Sequence, residues 1–407
     1  MSEALARRLG VTDAVVIGLG SMLGAGVFVA FAPATRAAGG TGVLISLALA
    51  ALVACCNALS SARLAAKYPE SGGTYVYGRE RLGNAAGFLA GWAFVAGKTA
   101  SCAAMALTIG AYAWPSQARW VAIAAVVALT AVNAGGITKT ARLTRILVAV
   151  TLTVLALVVV TGLSRGPWLA FPGVTSPYGV LQGAGLLFFA FAGYARIATL
   201  GEEVRDPART IRLAIPIALG AVLVIYTVVG VTALTVLGPS ALAESSAPLA
   251  DVVASAGLPA LTGVVRAGAA VAVVGVLLSL IAGIGRTTLA MARRGDLPGA
   301  LSIVDARHQV PLRAELAVAA VVIVLVSLGD VRTAIGFSSC TVLVYYAVTN
   351  ASAWTLGTGR IIAGIGLAGC LVLAASVPWQ SLAAGAAVLA VGVVAWRISL
   401  RATSSRL

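Results

Sequence analysis

The sequence predicts an all-α integral membrane protein of about 12 transmembrane helices, built as two inverted five-helix repeats with two accessory helices after them. Three observations carry this. The 407 residues are 60% hydrophobic and only 10% charged, with a mean hydropathy of +1.01, whereas an ordinary soluble domain has about a quarter of its residues charged. Apolar runs near the roughly 20 residues that span a bilayer recur along the chain between charged or Pro/Gly-rich breaks. Finally, the first and sixth runs carry glycines or small residues at mid-membrane, as Gly18-Leu19-Gly20-Ser21-Met22-Leu23-Gly24-Ala25-Gly26-Val27-Phe28 and Phe188-Phe189-Ala190-Phe191-Ala192-Gly193-Tyr194. Glycine loosens a helix, and loosened backbone survives in a bilayer only where protein or a cavity satisfies its amides and carbonyls. Such interruptions at corresponding positions of two halves mark inverted repeats that meet at a midplane site.

In order, the expected spans are 13–36, 40–62, 83–111, 119–136, 144–164, 178–200, 212–238, 263–291, 313–329, 331–355, 361–377 and 380–397. A short N-terminal segment, 1–12, precedes the first repeat at 13–164; the second repeat is 178–355, the accessory pair 361–397 and the tail 398–407. An even number of spans puts both termini on one side. With that side cytoplasmic, the outer loops keep only Arg36, Arg119, Arg165, Arg266 and Arg332 of the 28 Lys and Arg, while Arg7, Arg8, Lys67, Arg79, Arg142, Arg209, Arg293, Arg294 and most others fall inside. That asymmetry is the positive-inside rule at work, and it implies a multi-pass protein of the cell membrane. Lys98 and Arg196 are the two basic residues inside spans.

The net charge of +15 would suggest nucleic acid in a soluble protein; here it is topology, and no nucleic-acid partner is expected. The five cysteines, Cys55, Cys56, Cys102, Cys340 and Cys370, all lie in apolar runs without CxxC or Cys/His spacing, so they read as small buried side chains. His308, the one histidine, falls in an inner loop and cannot form a metal cluster. No cofactor is called for, and no Ser/His/Asp set, paired intramembrane carboxylates or Walker-type loop argues for an enzyme or a pump. Arg7, Arg8 and Ala32-Pro33-Ala34 around an apolar run imitate a signal peptide, but the run is long, glycine-broken and followed by further spans.

Four segments resemble the amino acid-polyamine-organocation permeases. They are Gly20 to Phe28; Tyr68-Pro69-Glu70-Ser71-Gly72-Gly73-Thr74-Tyr75-Val76-Tyr77 with Gly87-Phe88-Leu89-Ala90-Gly91-Trp92; Phe188 to Tyr194 with Thr199-Leu200-Gly201-Glu202-Glu203-Val204-Arg205-Asp206-Pro207; and Arg286 with Met291-Ala292-Arg293-Arg294-Gly295-Asp296-Leu297-Pro298 and Val310-Pro311. Their order and spacing make the resemblance specific and nearly end to end. It implies a LeuT-like fold of five plus five helices, broken first and sixth helices where the substrate binds, alternating access, and uptake or exchange of amino acids.

An amino acid offers a carboxylate and an ammonium. A half-helix N-terminus suits the carboxylate, an arrangement known in a related transporter fold. The amides here would come from Met22, Leu23, Gly24, Ala25 and Gly26, with the Ser21 hydroxyl beside them. The ammonium needs carbonyls, assigned to Gly18 and Leu19 in the first span and to Phe189, Ala190 and Phe191 in the sixth. Two plainer readings compete. Gly20 and Gly24 also form a GxxxG packing face, and Gly18-x-Gly20-x-x-x-Gly24 imitates a nucleotide-binding loop that has meaning only after a strand.

The resemblance makes Phe189 an aromatic lid, flanked by Phe191 and Tyr194. Tyr194, Arg196, Glu202 and Glu203 read as inner-gate residues, with Arg196 within one or two helical turns of the two glutamates. Lys98 departs from the family, whose members commonly lack lysine there. It lies about 20 Å of helix from either end of its span, at about 1.5 Å per residue, and a charge that deep is functional by default. Burial favours a neutral amine, so Lys98 is a candidate proton carrier for coupling, by mechanistic analogy with members that use a buried lysine in the fifth helix; a fixed positive charge is the other reading. Arg212 stands near a position where members often have proline.

The expected activity is therefore secondary transport of an amino acid, with protons and for neutral substrates, since no carboxylate lies at mid-membrane. The alternatives are an exchanger without proton coupling and a transport-inactive sensor or scaffold of the same fold.

Overall fold

The computed structural model describes residues 9–68, 72–136, 141–198, 204–305 and 307–404, and among them it is helical, with a lone bridge between Leu9 and Val204 as its one strand-like pairing. The first predicted span is divided. Helix α1 (Val11–Met22) ends at Leu23 and Gly24, whose backbones leave the helical region (φ −77°, ψ 61° and φ −122°, ψ −145°). Helices α2 (Ala25–Val29) and α3 (Phe31–Ala38) follow. Pro33 withholds the N–H that would meet the Val29 carbonyl, yet Ala30 between them stays helical (φ −70°, ψ −22°), so α2 and α3 run on as one rod.

Five helices complete the N-terminal half: α4 (Gly40–Lys67), α5 (Thr74–Leu82), α6 (Asn84–Ala113), α7 (Ala118–Ala134) and α8 (Ala141–Arg165). The sixth span is divided like the first. Ser176 caps α9 (Pro177–Phe191) by accepting the Gly179 amide at 2.9 Å, with Pro177 at the first helical position where its missing N–H costs nothing. A 3-10 turn, Ala192–Tyr194, then leads into α10 (Ala195–Ala198).

The rest is α11 (Pro207–Glu244), α12 (Pro248–Ser255), α13 (Thr262–Arg293), α14 (Leu312–Leu328), α15 (Val331–Trp354), α16 (Arg360–Ser376) and α17 (Trp379–Ser404). Helix α11 kinks at Gly238, where φ is 72°, just before Pro239.

Among the described residues, nine helices are long and apolar enough to cross a membrane. The predicted first, ninth and eleventh spans are the ones outside that set, for two physical reasons. The break at Leu23 and Gly24 divides the first, and α14 and α16 have 17 residues each, at the short limit for crossing.

Helix α6 is the most enclosed and packs between α13 and α15. Lipid tails are as apolar as leucine, so helices in a bilayer associate through close packing of small residues and interhelical hydrogen bonds; the Ser101 and Ser338 hydroxyls, 2.7 Å apart across α6 and α15, are one such bond. At one end of the bundle Asp296, just beyond α13, is buried as the acceptor for three groups. These are the Tyr75 hydroxyl at 2.5 Å, the Arg79 guanidinium at 2.5 Å and the Trp396 indole N–H at 2.8 Å. That clasp joins α5 to α17. At the opposite end the 166–176 loop pairs with the start of α4 and the end of α3, Gly42 N–H to Gly173 C=O and Thr175 N–H to Ala38 C=O, and Arg36 pairs with Glu244 at 2.9 Å.

Candidate functional site

The two broken spans meet backbone to backbone. A methyl group on Gly193 would stand 2.2 Å from the Ser21 carbonyl oxygen, and one on Gly26 would stand 2.5 Å from Ala190 Cα. No side chain fits either place, so the glycines are there for approach as much as for loosening.

Tyr226, from the middle of α11, ties the breaks together. Its hydroxyl lies 2.7 Å from the Met22 carbonyl oxygen and 2.9 Å from that of Ala190, so one phenolic proton serves a carbonyl from each break. The Phe191 ring packs edge-on against Tyr226 at 5.2 Å between centroids. Two residues beyond Ala190, the Ala192 carbonyl accepts from Lys98 Nζ at 3.0 Å, with the Tyr346 hydroxyl at 3.5 Å. The ammonium thus sits at the C-terminal end of half-helix α9, where unsatisfied carbonyls concentrate partial negative charge.

Of the residues expected to bind substrate, seven lie at the two breaks. Leu23 and Gly24 form the first break, Ala25 and Gly26 begin α2, and Phe189, Ala190 and Phe191 end α9; all are buried. Their groups are partly engaged. The Ser21 hydroxyl donates to the Ile17 carbonyl at 2.8 Å, and the Leu19 carbonyl accepts the Leu23 amide at 2.8 Å. The Met22 carbonyl, rather than those of Gly18 or Leu19, is the one Tyr226 bonds, and it also accepts the Gly24 amide at 2.8 Å; Gly18 packs against Ile197. The Phe189 carbonyl accepts the Ala192 amide.

Tyr194 is fully buried and stacks on Tyr346 at 5.1 Å, while Arg196 lies exposed in α10 just beyond. Glu202 and Glu203 lie outside the described residues.

The site is closed to solvent in this arrangement, with Lys98 and Phe189 each 7% exposed. On the α12 side, Tyr112 donates its hydroxyl to the Phe28 carbonyl at 2.9 Å and accepts the Leu249 amide at 3.2 Å, so α12 is latched over the broken first helix. Arg266 donates to the Ala111 carbonyl at 3.1 Å beside it.

Tyr226, Tyr346 and Tyr112 carry no assignment from the sequence. The signal that could have found them is a phenol within an apolar span, since a buried tyrosine hydroxyl requires a partner; Tyr226 and Thr227 are the polar side chains in an otherwise Val, Leu and Ile run from 222 to 229.

Apolar helices packed around two broken ones, with backbone carbonyls gathered where they meet, define a membrane transporter of small solutes. Comparison with known proteins gives that class its family. The amino acid permease family profile matches residues 9–364, and the chain belongs to that family. It is 61% identical over 405 residues to an uncharacterized transporter of Mycobacterium tuberculosis, covering 97% of this chain and 92% of that one. More distantly, it is 28% identical over 335 residues to a branched-chain amino acid permease of Bacillus subtilis (76% and 72% covered) and 27% over 340 residues to a methylthioribose transporter of the same organism (77% and 73%).

Proposed function

We propose that this protein is a secondary active transporter of neutral amino acids, coupled to protons and working by alternating access. The observation that carries the reading is the meeting of the two breaks, where Tyr226 bonds the Met22 and Ala190 carbonyls and, two residues on, the Lys98 amine bonds that of Ala192. In this scheme the substrate carboxylate lies against the stretch from Met22 to Gly26, where the Ala25 and Gly26 amides open α2, and its ammonium takes the carbonyls at the end of α9. Lys98 is then the coupling group. Leaving Ala192 as the substrate ammonium arrives, it sheds its proton on the side to which substrate is released, so that one proton crosses with each substrate.

The same reading supplies the architecture. Twelve spans form two inverted repeats, 13–164 and 178–355, with 361–397 as accessory helices and both termini in the cytoplasm of a cell-membrane protein. Phe189 covers the substrate, and Tyr194, Arg196, Glu202 and Glu203 gate the inner mouth. The absence of a carboxylate among the described residues around the breaks favours a neutral side chain.

Uptake into proteoliposomes tests it. Labelled leucine, isoleucine and valine should accumulate under an inward pH gradient and stop when it is collapsed. Accumulation that ignores the gradient but needs internal amino acid would make the protein an exchanger, and no uptake across a broad panel of amino acids would sink the transport reading.

A further inference from the structure

We infer that the furrow between α4 and α11 is a binding site for an anionic phospholipid, holding one acyl chain along the two helices with the headgroup at Arg212. This concerns the membrane-facing surface and does not depend on what is transported.

Two apolar cavities line that surface end to end. One, of about 150 Å³, lies among Leu59, Cys55, Ile215, Pro216, Leu219 and Gly220 and has Phe191 at its floor. The other, of about 470 Å³, continues past Leu52, Ala48, Leu44 and Thr227, and the two share Ala51, Cys55 and Leu223. The furrow exists because of what its walls lack. Gly220 offers no side chain and a methyl group there would touch nothing within 4 Å, while Cys55 and Ala51 are small. A chain in contact with hydrocarbon cannot leave such a groove to water, and a flexible acyl chain is the component of a bilayer that fits a narrow apolar channel lying along two helices.

Charge fixes which lipid. Arg212 precedes Ile215, Pro216, Leu219 and Leu223 by 3, 4, 7 and 11 residues, the spacing of a single helix face. The guanidinium therefore stands at the end of the same stripe that walls the furrow. Arg212 and its neighbour Arg209 are exposed, and neither makes an ion pair among the described residues. From Leu59 to Leu44 the furrow runs about 22 Å at 1.5 Å per residue, and its first cavity, from Leu59 to Ala51, takes about 12 Å of that, close to the depth of one leaflet in a hydrocarbon core of about 30 Å. A phosphate at Arg212 thus places its chain against Phe191. That contact matters because Phe191 packs on Tyr226, the residue that ties the two breaks. A chain seated there braces the closed arrangement from the lipid side.

Native mass spectrometry of the purified protein, exchanged into detergent with equimolar phosphatidylglycerol and phosphatidylcholine of identical chains, tests the assignment. The wild-type protein should retain phosphatidylglycerol about five-fold over phosphatidylcholine, the preference expected of a single basic residue at an anionic headgroup. Arg212→Gln should lose the preference, and Gly220→Leu, whose Cβ meets nothing within 4 Å and whose longer side chain occupies the furrow, should lose both lipids while keeping its melting temperature. Equal retention by wild type and Gly220→Leu overturns the site, and a preference that survives Arg212→Gln overturns the headgroup assignment. A two-chain mass that Gly220→Leu abolishes would give the furrow to a second copy of the protein instead.

Discussion

At the scale of single residues, Lys98 and Tyr226 differ in how far the sequence reveals them. Lys98 announces itself, because a charge in the middle of an apolar span has few ways to be tolerated. Its partner does not, since the Ala192 carbonyl lies 94 residues away. Lys98→Met should leave a folded, inserted protein whose uptake no longer varies with pH; a variant with the normal pH profile would remove Lys98 from coupling. Tyr226 is one more apolar-looking residue until α11 is packed against both breaks. Tyr226→Phe deletes the hydroxyl and nothing else, leaving two buried carbonyls without that donor. We expect a loss of about 1 kcal/mol in thermal stability and a larger fall in uptake, because the bond lies at the junction that must open.

Among the elements, the broken first and sixth helices were legible as breaks, because glycines and small residues at mid-span weaken a helix at the depth where the bilayer most demands one. Where the break falls was less so. Gly18 and Gly20 lie within α1, and the backbone departs from the helix only at Leu23 and Gly24. Glycine permits a break without locating one; the position goes with the carbonyl that finds a partner in α11, that of Met22 on Tyr226. Gly193→Ala tests the contact between breaks. Its methyl group would meet the Ser21 carbonyl at 2.2 Å, and we expect melting to fall by several degrees with uptake abolished, whereas Gly220→Ala on the open face should change neither. The clasp at Asp296 is the second element-scale device. Asp296→Asn removes the charge paired with Arg79 while keeping an acceptor for Trp396, and should cost about 3 kcal/mol as a buried ion pair losing one member. Trp396→Phe removes the indole N–H that reaches Asp296 together with part of a buried ring stacked on Phe88, and should cost about 2 kcal/mol; a loss from Asp296→Asn no larger than this in differential scanning calorimetry would mean that the carboxylate carries no special weight.

For the whole molecule, topology is the claim that the basic residues make. Two positions on opposite loops test it. Val174→Cys, exposed in the 166–176 loop, should react with a membrane-impermeant maleimide added to intact cells, while Gly299→Cys, exposed beyond α13, should react only after permeabilisation. The reverse pattern would invert the protein in the membrane. Four of the native cysteines are buried and Cys55 is only partly exposed at the lipid-facing furrow, so the background from them should be small.

The division of labour between sequence and tertiary structure has a physical basis. Membrane embedding, helical class, the two interruptions and the family were all fixed by local properties, namely hydropathy over a span, glycine content and short motifs, because the bilayer demands that each segment satisfy its own backbone. The sharing of Tyr226 between Met22 and Ala190, the seat of Lys98 on Ala192, the Asp296 clasp and the furrow beside Arg212 depend on helices distant in the chain coming side by side. In a bilayer that pairing is chosen by shape and by interhelical hydrogen bonds rather than by hydrophobicity, and an apolar residue facing lipid reads the same as one facing its neighbour.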